Sequence, residues 1–402
     1  MSTVLKAYRY RLEPDGGQVV ALNRWMPALR FLWNWMLAQR RDAYQASEGR
    51  IRIGYYEQNA QLPAMKQIYP WLSEVPSQAL QQTLRDLDTA FIAFFKGRAR
   101  YPSFKCKHRS RPGIHWPQRV NVNGRCVYLP KLGWVKVRFS RPLEGRLRSA
   151  TVRWDGLHWH VSILCALEQV VTKVPKNAPI GLDLGVQESI ALSDGRLLRL
   201  PVASVVEEQR LKVLAQRISR CVRGSHRHAK AKRRALIFRR RIQNRVMDRR
   251  HKLTTTLAQN HGLIVVEDLR LKSMTRSAKG TVPDPGRNVA AKSRLNRSLL
   301  EQGHAETLRQ LGYKSRWFGG TVRAVSAAYT SQRCSACSHV AAENRPSRAV
   351  FCCTRCGHRG HADVNAAQNI LSAGLAASAR VAEGSLAALG SENLPVGSPK
   401  AA

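Results

Sequence analysis

The 402-residue chain carries 67 Lys plus Arg against 26 Asp plus Glu, a formal net charge of +41, with 44% hydrophobic residues. That apolar content excludes a disordered polycation, and so large a positive surplus on a folded chain asks for a polyanion. Nucleic acid fits best, because its phosphates release counterions when Lys and Arg neutralise them.

The N-terminal MSTVLKAYRYRLEPD lacks the apolar core of a signal peptide. No stretch reaches the roughly 20 apolar residues of a membrane helix, so a cytoplasmic protein with no membrane partner is expected. Residues 4–12, VLKAYRYRL, alternate like a half-buried strand that Pro14 and Gly16–Gly17 end. Residues 18–45 read as a helix through Val20, Leu22, Trp25, Leu29, Leu32, Trp33 and Leu37. Ser77 is the expected cap of a second helix whose inner face carries Leu80, Leu84, Leu87, Phe91 and Phe94–Phe95. A helical block over 15–98 follows from these.

From 113 to 167 the period becomes two, in short segments split by Gly and Pro, with Asp155–Gly156 as a hairpin turn. The strand at 4–12 is expected to join this sheet or barrel, with the helical block inserted between. After a linker at 174–179, PIGLDLGV and SIALSDG read as two strands of a hairpin. Residues 206–259 form a basic helical region in which Leu211, Leu214, Ile218, Phe238, Ile242 and Val246 mark a buried stripe. Its clusters Arg233–Arg234, Arg239–Arg241 and Arg249–Arg250 would repel one another without phosphates nearby. GLIVVEDL reads as a buried strand, 272–288 as a mobile loop, 289–312 as a helix and 321–329 as a strand. A helix DVNAAQNILSAGL follows, then an Ala/Gly/Ser-rich tail from 375 that is expected to be disordered.

Nine cysteines could suggest disulfides, but four sit in two CxxC pairs, Cys334/Cys337 and Cys353/Cys356, fifteen residues apart. In a chain without a secretory signal this spacing reads as a tetrahedral zinc site. Pairing Cys352 with Cys356 is the less usual alternative, and His339, His358 and His361 read as surface or phosphate contacts. Four thiolates close a zinc site and leave no position for chemistry.

Chemistry is therefore sought in carboxylates. Asp183 interrupts IGLDLGV, Glu267 ends LIVVE and Asp363 opens the helix behind the second CxxC. A carboxylate on a buried strand is costly unless paired or bound to metal. Three from distant segments, converging, would make a hard-oxygen site for two Mg²⁺ ions. In this reading the acids need no arginine partners. Strand alternation favours Glu267, on the face of Val265 and Leu263, over Asp268.

The stretches KAYRYRLEP, FLWNWMLA, ALQQTLRDLDTAFIAFFKGR, YPSFKCKHRS, LPKLGWVKVR, GLDLGV, VVEDL, YTSQRCSAC and CTRCGHRGHADVNAAQNIL follow one another over about 5–372. In that order the chain resembles the TnpB (OrfB) family of insertion-sequence proteins, relatives of type V CRISPR effectors. The resemblance implies a multidomain α/β protein, a bacterial or archaeal nucleoid-associated RNA-guided DNA endonuclease. Its guide would be an RNA from the transposon right end, and its target double-stranded DNA beside a transposon-associated motif.

The implied architecture is an oligonucleotide-binding β-barrel (wedge) domain over 1–14 and 99–173 with a helical recognition lobe inserted at 15–98. A RuvC-like, RNase H-type domain would cover 174–333 and 357–374, with an inserted zinc ribbon at 334–356 and a tail at 375–402. Asp183, Glu267 and Asp363 would be its catalytic acids, holding Mg²⁺, for which Mn²⁺ could substitute. Cys334, Cys337, Cys353 and Cys356 would be its zinc ligands. One departure is Ser338, where the family often has glycine after the second cysteine. A non-cleaving guide-RNA-dependent repressor and an auxiliary transposase are the competing readings.

Overall fold

A computed structural model of the chain describes residues 2–107, 113–169, 178–326 and 328–389. It divides into two compact units, Met1–Val170 and Val171–Ala402. Most of the linker expected at 174–179 lies outside the described residues, as does the tail beyond 389.

In the first unit β1 (Ser2–Glu13) is followed by α1 (Gly16–Ala46), α2 (Tyr55–Ala60), α3 (Leu62–Ile68) and α4 (Ser77–Phe95). Six strands complete it: β2 (Ile114–Trp116), β3 (Asn121–Asn123), β4 (Cys126–Leu129), β5 (Gly133–Arg138), β6 (Arg146–Trp154) and β7 (Trp159–Gln169). The sheet order is β2-β6-β7-β1-β5-β4-β3 with every pairing antiparallel. β1 is central: Ser2–Leu12 pairs with Trp159–Gln169, and Arg11–Glu13 with Lys136–Arg138. Its alternation buries Tyr8, Tyr10 and Leu12 while Arg9 stays at the surface. The helices close over the sheet in one core, with Leu22, Trp25, Leu32, Leu80 and Leu84 packed among Trp116, Val135 and Val161.

Three expectations need correction here. Among the described residues the sheet is open, with β2 and β3 at its edges, and not a closed barrel. Ser77 is the first residue of α4, not its cap; Pro76 holds the cap position and the Ser77 hydroxyl accepts from Lys66 Nζ instead. The turn at Asp155–Gly156 is a longer loop in which Asp155 Oδ1 accepts from the amides of Leu157 and His158, the local bonding that suits Asp to turns.

The second unit runs β8 (Ile180–Asp183), β9 (Ile190–Leu192), β10 (Leu197–Leu198), α5 (Val205–Ser219), α6 (His226–Asn260), β11 (Leu263–Glu267) and α7 (Leu271–Met274). Then come α8 (Val289–Gln302), α9 (His304–Trp317), β12 (Thr321–Val325), β13 (Val350–Cys352), β14 (Arg359–His361) and α10 (Ala362–Leu389). Its five-stranded sheet has the order β10-β9-β8-β11-β12. β8, β11 and β12 are parallel, while β9 and β10 join by antiparallel pairing. The single helix expected over 289–312 is broken by Gly303, which takes the left-handed φ of 61° that glycine adopts without cost. The strand expected over 321–329 stops at Val325. The last helix does not end near 374 but continues to Leu389, because an alanine-rich segment without proline favours helix. No described helix is long and apolar enough to cross a membrane.

α10 lies on the sheet at glycine distance. A Cβ on Gly181 would come 2.2 Å from the Ala367 carbonyl oxygen, and one on Gly374 would come 2.5 Å from both Val265 methyls. Gly181→Ala is therefore expected to destabilise the second unit by ~1–3 kcal/mol, the usual cost of overpacking. Gly312→Ala, in open space within α9, should be neutral or stabilising by up to ~1 kcal/mol. Denaturant midpoints of the two variants check this contrast.

α6 and α9 are joined by a buried polar cluster. Lys314 Nζ donates to the His251 carbonyl at 2.6 Å and to the hydroxyls of Thr254 and Thr255 at 2.7 and 2.9 Å. Burial, and then the charge of Arg309, lower the Lys314 ammonium from 10.5 to about 8. The unfolded chain thus binds more protons in the window from about 8 to 10.5, and this group's contribution to stability rises with pH there. Melting temperatures across that window should climb by a few degrees more for the wild type than for Lys314→Met; equal slopes would refute the assignment.

Candidate nuclease and metal-binding site

The carboxyl ends of adjacent parallel strands are where open α/β sheets gather functional groups. β8 and β11 end there together, with Val266 opposite Leu182 in register. Asp183 and Glu267, the next residues on each strand, therefore emerge side by side. Glu267 points as alternation requires, while the Asp268 amide extends the pairing to the Val325 carbonyl. The third acid, Asp363, stands in the first turn of α10, where the helix dipole favours negative charge.

The three carboxylates are close enough to feel one another's charge. Burial pushes the Asp183 carboxyl up from 3.8 to about 7, and the charges of Glu267 and Asp363 add to the effect while Arg345 opposes it. Burial also raises Glu267, against a hydrogen bond of 2.5 Å that the Thr330 hydroxyl donates to Oε1. Asp363 Oδ1 accepts from Arg345 Nη2 at 2.9 Å. This corrects the expectation that the acids need no arginine. One arginine is engaged, Arg345, whose guanidinium pairs with Asp363 at the edge of the cluster. The acids are not drawn together as tightly as the cysteines below. As a set of hard oxygen donors in a repulsive cluster, they suit a divalent cation.

The four cysteines meet. The sulfurs of Cys334, Cys337, Cys353 and Cys356 all lie within 4.8 Å of one another, with Cys337–Cys353 at 3.6 Å and Cys334–Cys356 at 3.7 Å. Such a set fits a structural zinc ion. Cys352 sits on β13 outside the group, and none of His339, His358 and His361 joins it. His361 Nδ1 instead accepts from the Asp363 amide at 3.2 Å. After each CxxC the chain turns through a left-handed residue, Ser338 at φ 63° and Gly357 at φ 71°, which is why glycine is favoured there and serine is a strained substitute.

The knuckle is bolted to α10 by side-chain amides. Asn365 Oδ1 accepts from the Ser335 amide, its Nδ2 donates to the Arg333 carbonyl, and Asn369 Nδ2 donates to the carbonyls of Thr330 and Arg333. Asn344, fully buried, joins the Gln332 and His339 carbonyls to the backbone and hydroxyl of Thr354, and so links the two CxxC turns. The same helix thus carries Asp363 and is anchored by the cysteine knuckle.

Residues 304–370 match the family model described as "Cas12f1-like, TNB domain", residues 1–49 a "Helix-turn-helix domain" of OrfB proteins, and residues 162–278 the OrfB model described as "Probable transposase". The chain is 42% identical over 376 residues to a protein of Escherichia coli (strain K12) named as the RNA-guided DNA endonuclease InsQ, with 92% of each chain covered. The chain belongs to the TnpB (OrfB) family. A second TnpB relative, from Streptomyces pristinaespiralis and likewise named an RNA-guided DNA endonuclease, is 31% identical over 388 residues, covering 94% of this chain and 92% of its own. The fold is similar to that of the effector in the cryo-EM structure of a Cas12f1–sgRNA–target DNA complex, with a TM-score of 0.54 and 13% identity over 92% of this chain and 98% of that one. The segment matched to the TnpB helix-turn-helix model forms β1 and one 31-residue helix here.

Sequence reasoning missed Thr330, Arg345, Asn344, Asn365 and Asn369. The two asparagines at i and i+4 in DVNAAQN share a helix face, a signal that could have been read. Arg345 carries none, being one arginine in a loop among many.

Proposed function

We propose that this chain is an RNA-guided DNA endonuclease that binds a guide RNA from the transposon right end and cleaves DNA beside a short transposon-associated motif. The observation that carries the reading is the convergence of Asp183, Glu267 and Asp363 from β8, β11 and α10. The parallel order of β8, β11 and β12 with the antiparallel β9 beside them supports assigning 174–333 and 357–374 to a RuvC-like, RNase H-type domain, with 334–356 as its zinc ribbon. The first unit is assigned as wedge domain, 1–14 and 99–173, with its recognition lobe at 15–98.

Asp183, Glu267 and Asp363 would hold two Mg²⁺ ions, which would supply charge stabilisation to the attacking and leaving oxygens of a displacement at phosphorus, and Cys334, Cys337, Cys353 and Cys356 would hold Zn²⁺. Thr330 orients the Glu267 carboxylate through its hydroxyl. Arg345 pairs with Asp363 Oδ1 and would share that carboxylate with a bound cation. Affinity for nucleic acid comes from lysine and arginine on phosphate and from guide–target pairing, so the acids act on cutting rather than on binding.

The test is co-expression with the transposon right end, purification of the ribonucleoprotein, and incubation with a plasmid library carrying the target beside randomised flanks. Guide- and Mg²⁺-dependent linearisation is the expected result. Retained, guide-directed binding without cutting would overturn it in favour of a repressor.

A further inference from the structure

A cavity of about 660 Å³ opens in the first unit between the C-terminal halves of α1 and α4. Its wall is mostly apolar, with Tyr44, Ile51, Ile53 and Ile92 beside four further aromatic rings. Phe91, Phe94, Phe95 and Tyr101 form one cluster, with ring centroids 5.4–6.2 Å apart. Phe95 is 71% exposed and Tyr101 45%. A monomeric soluble protein rarely leaves so much contiguous aromatic surface uncovered without a use for it.

The inner wall holds a second, independent feature. Arg40 is buried, its side chain only 7% exposed, with its guanidinium over the Phe91 ring. Two of its nitrogens are engaged: Nε donates to Gln58 Oε1 at 2.9 Å and Nη1 to Asp88 Oδ1 at 3.0 Å. The third, Nη2, is buried and has no hydrogen-bond partner among the described residues. An unmet buried donor on a charged group costs on the order of 1–3 kcal/mol or more, and the Arg40 side chain that carries it is part of the cavity lining. The rim supplies positive charge through Arg41 and Arg52, both exposed and both in the lining.

We propose that this pocket receives an unstacked nucleobase of single-stranded nucleic acid. The ligand must offer a flat apolar face to Phe95 and Tyr101, a carbonyl oxygen to Arg40 Nη2, and a phosphate on either side to the rim. A nucleotide with a keto base, uracil, thymine or guanine, has all three. An apolar protein segment has the first only. The volume suits such a group, since small-ligand sites span roughly 300–1,000 Å³. The assignment rests on the nucleic-acid-binding part of the proposed function and not on the cleavage part, so the two can fail separately.

The test uses full-length protein freed of copurifying RNA at high salt. The probes are a short oligouridylate with one central 5-iodouracil and its deoxy counterpart, irradiated on the protein and mapped by mass spectrometry. The crosslink is expected on Phe95 or Tyr101. Phe95→Ala, an exposed position that leaves the melting temperature unchanged, should lower the yield at this site about tenfold, as loss of one stacking contact does. A competitor of equal phosphate count without bases should fail to displace the probe. The stronger of the ribose and deoxyribose arms tells whether the base comes from guide or DNA strand. Crosslinks confined to the arginine-rich helices, or equal competition by the abasic strand, would overturn the proposal. So would a Phe95→Ala change seen only in light scattering, which would make the patch a contact with a second copy of the chain.

Discussion

Asp183→Asn, Glu267→Gln and Asp363→Asn should each lower plasmid cleavage by about 10³-fold or more while guide-RNA retention and target binding stay within about twofold. Each replacement keeps the side chain's shape and removes one negative charge from a site where burial and like charges already push Asp183 up to about 7. Without metal the variants should therefore melt no lower than the wild type, and the loss of cutting cannot be ascribed to unfolding. Cleavage is read on a target plasmid and binding by gel shift on the same preparations. Full cutting by Asp363→Asn would remove that residue from the site. Equal loss of binding and cutting would make the acids structural.

Cys353→Ser is expected to abolish zinc binding, from about one ion per chain to none, and to reduce cleavage at least tenfold although no cysteine touches the acids. Binding energy at a thiolate site is folding energy, on the order of 10 kcal/mol for small zinc modules. Its loss releases the turns that Asn344 joins and the carbonyls of Thr330 and Arg333 that Asn365 and Asn369 grip. Asp363, two residues before Asn365, then loses its fixed position, and so does Thr330, which orients Glu267. Elemental analysis and limited proteolysis near 330–360 report the ribbon, and plasmid linearisation reports the site. Unchanged cleavage by a zinc-free variant would disconnect the two.

What could be read in advance follows from how local each signal is. The CxxC pairs carry their chemistry in their spacing, and the four sulfurs meet. The strand at 4–12 shows its period within nine residues, and Asp183 and Glu267 stand out because a charge ends an apolar run. Contacts made across the fold leave no such trace. The Arg345–Asp363 pair depends on a loop folding back over eighteen residues. The open edge of the first sheet depends on which strands find partners. Gly181 shows in the sequence only as a residue of the strand PIGLDLGV, yet its role is to admit the Ala367 carbonyl. Residues 375–389 are helical because alanine with glycine and serine suits both disorder and helix, and α10 already had a nucleus on which to continue.

The place of β1 in the middle of its sheet bears on how the chain is made. It leaves the ribosome well before its long partner β7 at Trp159–Gln169, and at about 5–20 residues per second that is a wait of roughly ten to thirty seconds. Until β5 arrives to pair with Arg11–Glu13, a strand with a tyrosine-rich face has no neighbour on either side, and Ser2–Tyr10 stays unpaired until β7, the condition in which strands pair with the wrong chain. Lys6, Arg9 and Arg11, spaced along it, act as charged gatekeepers against such pairing. The helical block between has local contacts and can fold first, so the growing chain carries its first strand as a loose end until the seventh arrives to close on it.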